Sequence, residues 1–196
     1  MRAAKRRTNL ERSSTTRAGL IAAARQAFVA RGYAGTSTPD LVEAAGVTRG
    51  ALYHHFADKQ ALFRAVIEAE SAAVAAEIEA APFSGSPIEA LVAGGEAYLQ
   101  AMALPGRTRL LLVEAPSVLG QAEVDAIDSR NGVRTLREGL QAAVTAGALR
   151  PVPIDQTAQL LGAAYDRAAL ALARGDDRVD WLAGLRAMIE GLALPQ

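Results

Sequence analysis

The stretch GYAGTSTPDLVEAAGVTRGALYHHFADKQALF, residues 32–63, decides the fold. Gly32 is placed to close a preceding helix in a left-handed cap. Thr36, Ser37 and Thr38 offer caps and Pro39 suits the first helical turn, so a short helix is expected to about Ala45. Gly46 and Val47 follow, and Thr48 caps another short helix from Arg49 to about His55. Two short helices joined through a glycine-containing turn make a helix-turn-helix, whose second member can enter a major groove. Asp58 caps a helix with Leu62, Phe63 and Val66 on one face, continuing to about Ala80. Upstream, Leu20, Ile21, Ala24, Ala27 and Phe28 recur at helical spacing and place the first helix over residues 13–31.

Downstream, PFSGSP at residues 82–87 is the clearest break. Ser86 with Glu89 forms a capping-box pattern and Pro87 opens a new helical region. Apolar periodicity gives helices over about 87–103, 107–114 and 121–146, the last capped by Gly147. RPVPID is a turn, after which Asp155 caps a helix to about Arg174. Gly175 ends it, and Asp176 or Asp177 starts the last, which carries Trp181, Leu185, Met188, Ile189 and Leu192. No alternating strand pattern competes, so the expected class is all-α, about nine helices in two bundles.

Composition sets outer bounds. The 196 residues are 51% hydrophobic, include 44 alanines and contain no cysteine. Disulfide frameworks, zinc–cysteine sites and thiol catalysis are thereby excluded. Charges interrupt every apolar stretch before the ~18 to 20 residues of a membrane span, and a cytoplasmic protein is expected. The net charge of zero hides an asymmetry: residues 1–64 carry +7 and residues 65–196 carry −7. A basic amino-terminal part suggests a polyanionic partner. Arg2, Lys5, Arg6 and Arg7 could form an arm reaching a minor groove, or simply a flexible solubilising tail over residues 1–12.

Residues 32–63 resemble the TetR/AcrR family of transcriptional regulators. The resemblance is carried by Gly32-Tyr33, Thr36-Ser37-Thr38, Gly46-Val47-Thr48, Leu52-Tyr53-His54-His55-Phe56 and Lys59. It covers about residues 13–68 by motif, and it implies a helix-turn-helix DNA-binding domain at 13–64 and a helical effector-binding and dimerisation domain at 65–196. In the family pattern Thr38, Thr48, Arg49, Gly50, Ala51, Tyr53, His54 and Lys59 occupy positions that commonly face DNA.

These residues also have physical readings of their own. The start of the Arg49 helix presents free amides and a dipole suited to an anion. Arg49 can take a phosphate, which positions the helix, or a guanine edge, which specifies sequence. Gly50 and Ala51 let the backbone approach the groove. Tyr53 suits phosphate bonding and thymine-methyl contact, or else packs on the bundle. Thr38 and Thr48 could serve only as helix caps, and Lys59 only as a surface charge. Leu52 and Phe56, on the i, i+4 face away from Arg49 and Tyr53, read as core.

His54 and His55 are the only histidines and point about 100° apart, so they cannot form an i, i+4 metal site. Phosphate-loop and dinucleotide fingerprints are absent from the sequence. No metal, cofactor or catalytic residue is therefore assigned.

The carboxy-terminal helices offer two signals. Small residues Gly162, Gly184, Ala187 and Gly191, beside Leu161, Leu185 and Met188, suggest close helix packing across a symmetric homodimer; an intrachain bundle would use them as well. Polar side chains among apolar helices, Tyr98, Met102, Arg109, Glu114, Arg134, Tyr165, Asp166 and Arg167, are candidates for a cavity that orients a small apolar or amphipathic organic effector. The reading is then a dimeric repressor that leaves a palindromic double-stranded DNA operator when an effector binds. The alternative is a helical small-molecule-binding protein or enzyme whose helix-turn-helix serves protein contacts.

Overall fold

The computed structural model of the protein describes residues 9–82 and 85–194. Its helices are α1 (Asn9–Arg31), α2 (Thr38–Ala45), α3 (Arg49–His55), α4 (Lys59–Glu79), α5 (Pro87–Met102), α6 (Arg107–Arg109), α7 (Ala115–Leu119), α8 (Gln121–Asp128), α9 (Gly132–Thr145), α10 (Ile154–Leu172) and α11 (Arg178–Glu190). A π-helical turn, Leu110–Glu114, joins α6 to α7. The only extended pairing among the described residues is one antiparallel bridge, Leu149 to Ala193. The all-α expectation holds.

Three boundaries differ from the sequence reading. Helix α1 begins at Asn9, four residues before the start that the apolar spacing predicts; no Gly or Pro interrupts the chain from Asn9 to Ala18. The candidate arm residues Arg2, Lys5, Arg6 and Arg7 lie outside the described residues. The helix expected to end at Glu114 continues through the π turn to Leu119. Pro116 has no amide for the carbonyl four residues earlier, and the widened turn lies directly before it.

The third difference matters most for the site. The single helix expected over 121–146 is two, α8 and α9, broken at Ser129-Arg130-Asn131. Ser129 donates its hydroxyl to the Ala126 carbonyl at 3.0 Å, and the Asn131 amide donates to the Ile127 carbonyl at 2.8 Å. Such local side-chain bonds compete with helix continuation.

The chain divides into two compact units between Ile67 and Glu68, inside α4. In the first, Leu20, Ala24, Phe28, Leu41, Leu52, Phe56, Leu62, Phe63 and Val66 are buried. Phe28, Tyr33 and Phe63 form an aromatic cluster, with Phe28 and Phe63 edge to face at 5.1 Å. In the second, α5, α9, α10 and α11 pack around Leu91, Leu99, Leu140, Leu161, Tyr165, Leu185 and Ile189. Among the described residues, no helix is long and apolar enough to cross a membrane.

Candidate nucleic-acid interface and ligand cavity

Helix α3 is held in place by its own sequence. Ser37 caps α2 in a reciprocal capping box with Asp40, and Gly46 ends it at φ 61°, a left-handed conformation that suits glycine. Val47 and Thr48 then turn the chain, and the Thr48 hydroxyl accepts the Ala51 amide at 3.1 Å. Buried Leu52 and Phe56 anchor one side of α3. The opposite side presents Thr48, Arg49, Gly50, Tyr53 and His54 to solvent. Tyr53, a large aromatic residue, is 42% exposed, and the Arg49 guanidinium lies over its ring at 5.5 Å. Ala51 is half-buried at the edge of this face.

Two residues assigned to DNA sit differently. The cap of α2 is Ser37, so Thr38, the first helical residue, is free of that duty. Lys59 turns back into its own unit. Its ammonium donates to the carbonyls of Tyr33 at 2.9 Å and Thr36 at 3.0 Å, and lies 4.0 Å from the centre of the Tyr33 ring. Lys59 is therefore a tie between the start of α4 and the loop before α2.

The second unit contains a cavity of about 280 Å³. It lies between the carboxy end of α4, helices α5, α9 and α10, and Asp128 at the end of α8, with Ile78, Leu91, Val133 and Leu136 among its apolar walls. Gly95 makes room for one wall: a Cβ there would lie 1.9 Å from the Tyr165 hydroxyl. Of the candidate ligand residues, Tyr98, Tyr165 and Asp166 line the cavity. The others do not. Met102 is buried in the helical core. Arg109 pairs with Glu114 at 3.0 Å. Arg134 bridges Glu79 and Glu138, both of which reach the cavity rim, while its own side chain is not part of the lining. Arg167 lies over the Trp181 ring at 5.6 Å.

The polar end of the cavity is acidic. Tyr98 donates its hydroxyl to Asp166, and the Tyr98 and Tyr165 rings stand 6.0 Å apart at 69°. Burial pushes the Asp166 carboxyl above its ordinary value, against the opposing pull of the Tyr98 hydrogen bond. Burial, then the negative charges of Asp166 and Asp125, raise Asp128 from 3.8 to about 6, although the amides of Gly132 and Val133 pull the other way. Burial and the nearby Asp166 and Asp128 carboxylates hold the Tyr98 hydroxyl well above the usual phenol range. Tyr165 rises to about 12, mainly through burial.

Asp128 was not among the sequence candidates. Its signal was the turn-rich run Asp128-Ser129-Arg130-Asn131-Gly132, which breaks the helix and brings its carboxylate to the amides that open α9. Arg107 was also missed. It is 3% exposed, donates from Nε to Glu70 at 3.1 Å and from Nη1 to Glu77 at 2.9 Å and the Ala101 carbonyl at 2.7 Å. It thereby ties α6 to α4 inside the second unit.

The residues assigned to dimerisation fall into two groups. Leu161 and Leu185 are buried in the protomer's own core, and Gly162 faces Val133 and Leu136 across the cavity. The Leu161 and Leu185 assignments are corrected: their side chains are already covered within one chain, whereas Gly162 is half-buried. Gly184, Ala187 and Met188 on α11 and Gly191 at its carboxy-terminal cap remain exposed, and Leu160 on α10 is 70% exposed.

Comparison with known proteins covers both units. Residues 20–66 match the profile of bacterial regulatory proteins of the tetR family, and residues 88–193 match a tetracyclin repressor-like C-terminal domain. The regulator TtgR of Pseudomonas putida is 49% identical over 63 residues, 32% of this chain and 30% of that protein. AcrR of Shigella flexneri is 38% identical over 87 residues, 43% of this chain and 40% of that one. The chain thus aligns with well under half the length of these curated relatives. A solved TetR-family transcriptional regulator from Pectobacterium atrosepticum is similar throughout, at 34% identity and a TM-score of 0.77 over 96% of this chain and 99% of that one. The fatty acid degradation regulator FadR of Bacillus halodurans, 15% identical, shares the fold with a TM-score of 0.74. With its carboxy-terminal half and its amino-terminal helices both matched, and a full-length structural relative above 30% identity, the chain belongs to the TetR family of bacterial regulatory proteins.

Proposed function

We propose that the protein is a DNA-binding transcriptional regulator that acts as a homodimeric repressor, released from a palindromic operator by a small organic molecule. One observation carries this reading: a short helix anchored by Leu52 and Phe56 presents Thr48, Arg49, Gly50, Tyr53 and His54 together on its free side. That face offers hydroxyls, a guanidinium and a close-approaching backbone, the chemistry that meets phosphates and base edges. Two copies related by a two-fold axis would read half-sites about 34 to 36 Å apart, or slightly more. The exposed apolar faces of α10 and α11 are the surfaces proposed to join them.

Helix α4 supplies the coupling in this reading. It is uninterrupted from Lys59, which ties the loop before α2, to Glu79 at the cavity rim. A ligand that favours a displaced α4 favours the non-binding conformation. By linkage, operator DNA must then weaken ligand affinity by the same factor that ligand weakens DNA affinity, typically ~5 to 150-fold. The protein works by shifting populations and catalyses nothing, and its place of action is the cytoplasm.

The test is selection of bound fragments from random duplex DNA by the purified full-length protein, followed by titration over a range of salt. A near-palindromic consensus bound with steep salt dependence is expected. No preference for any duplex over random competitor would overturn the regulator reading.

A further inference from the structure

The cavity of the second unit has walls that are apolar and charges that are all of one sign. Its ionisable lining is Glu79, Asp128, Glu138 and Asp166, with Tyr98 and Tyr165, and among the described residues no Lys, Arg or His contributes to it. The four carboxylates are not equivalent. Glu79 and Glu138 at the rim share Arg134 as a counter-ion. Asp128 and Asp166, deeper and mostly buried, form no ion pair with any described Lys or Arg; their hydrogen-bond partners are the Gly132 and Val133 amides and the Tyr98 hydroxyl. Two carboxylates in an apolar enclosure repel each other and lose hydration, a cost that a positive guest removes. The paired tyrosine rings beside them add faces that attract a cation.

We infer that the effector of this cavity is a compact organic cation, an aromatic or alicyclic ammonium or amidinium whose charged end meets Asp128 and Asp166 while its ring fills the walls of Ile78, Leu91, Val133 and Leu136. This rests on the reading of the cavity as an effector site and narrows it from apolar or amphipathic molecules to one charge type. The volume, about 280 Å³, lies at the small end of ligand sites and suits one or two rings. Carboxylate and phosphate ligands are disfavoured by the same two aspartates. A charge-assisted hydrogen bond to a buried carboxylate gives discrimination of about 10 to 100-fold over a neutral isostere.

Matched probes decide it. Benzylamine, benzyl alcohol and benzoate, together with the corresponding naphthylmethyl amine, alcohol and naphthoate, are titrated into the full-length protein at pH 7.5 by calorimetry. Expected is an amine bound about ten-fold or more tighter than its alcohol, with the acids weakest. Asp128→Asn and Asp166→Asn should each narrow the gap between amine and alcohol, because the amine loses more affinity than the alcohol; circular dichroism confirms that each variant is folded. An alcohol or acid that equals its amine, an amine preference that survives in the doubly substituted Asp128→Asn/Asp166→Asn protein, or no amine binding at all would overturn the inference. An alcohol or acid that binds best would leave the effector site in place and refute only its cation selectivity, and DNA selection tests the regulator separately.

Discussion

Replacing Asp128 by Asn should stabilise the protein, and more so as the pH rises. The folded chain holds a proton on Asp128 up to about pH 6, whereas the unfolded chain releases it near 3.8. Between these values the native state binds more protons than the unfolded one, so this residue lowers stability progressively from about pH 4 to pH 6 and above. A displacement of about two pKa units corresponds to about 3 kcal/mol once the group is ionised in both states. At pH 5 the same relation gives about 1.6 kcal/mol, so the advantage of Asp128→Asn should grow by about 1.4 kcal/mol between pH 5 and pH 8. The asparagine keeps a side-chain oxygen for an amide of Gly132 or Val133 and carries no charge toward Asp166, Asp125 or the Tyr98 hydroxyl. Urea unfolding of both proteins at equal protomer concentration measures it, because association would otherwise enter the comparison. A difference that stays constant or shrinks with rising pH would refute the assignment of Asp128 as a buried, mutually repelled carboxylate.

Arg107→Met removes the guanidinium but leaves Glu70 buried, and a loss of about 3 to 5 kcal/mol in urea unfolding is expected. Gly95→Ala places a methyl group against the Tyr165 hydroxyl and should cost ~1 to 3 kcal/mol, a penalty that falls when Tyr165 is replaced by Leu in the same chain. Lys59→Ala should lower stability by about 1 to 3 kcal/mol through the lost bonds to Tyr33 and Thr36, whereas Arg49→Ala should leave the melting temperature unchanged and weaken DNA binding. If Arg49 reads guanine, its loss also relaxes discrimination at one base pair; if it holds phosphate, affinity falls evenly across sequences. Ala187→Trp adds bulk to an exposed face of α11, so light scattering should show weakened dimerisation with protomer folding intact.

Local chemistry made part of this protein legible from its residues. The caps Ser37, Thr48 and Ser86 act over three residues, Gly46 needs its left-handed backbone wherever the chain goes, and the spacing of Leu20, Ala24 and Phe28 marks one helix face. These short-range rules fixed the all-helical class, the helix-turn-helix and the exposed side of α3. Periodicity could not say which apolar face meets another helix of the same chain. Leu161 and Leu185 therefore read as dimer contacts although they belong to the protomer core, while Leu160, one residue away, points outward. The long-range partners of charged side chains are hidden for a similar reason. Lys59, Arg107 and Arg134 find partners 23 to 55 residues away, which no local pattern encodes. Asp128 became a cavity residue because Ser129 and Asn131 break a helix that its flanks alone would have continued. Tertiary packing decided which side chains share an enclosure, since burial and electrostatic neighbours are set by elements that the chain brings together only when it folds.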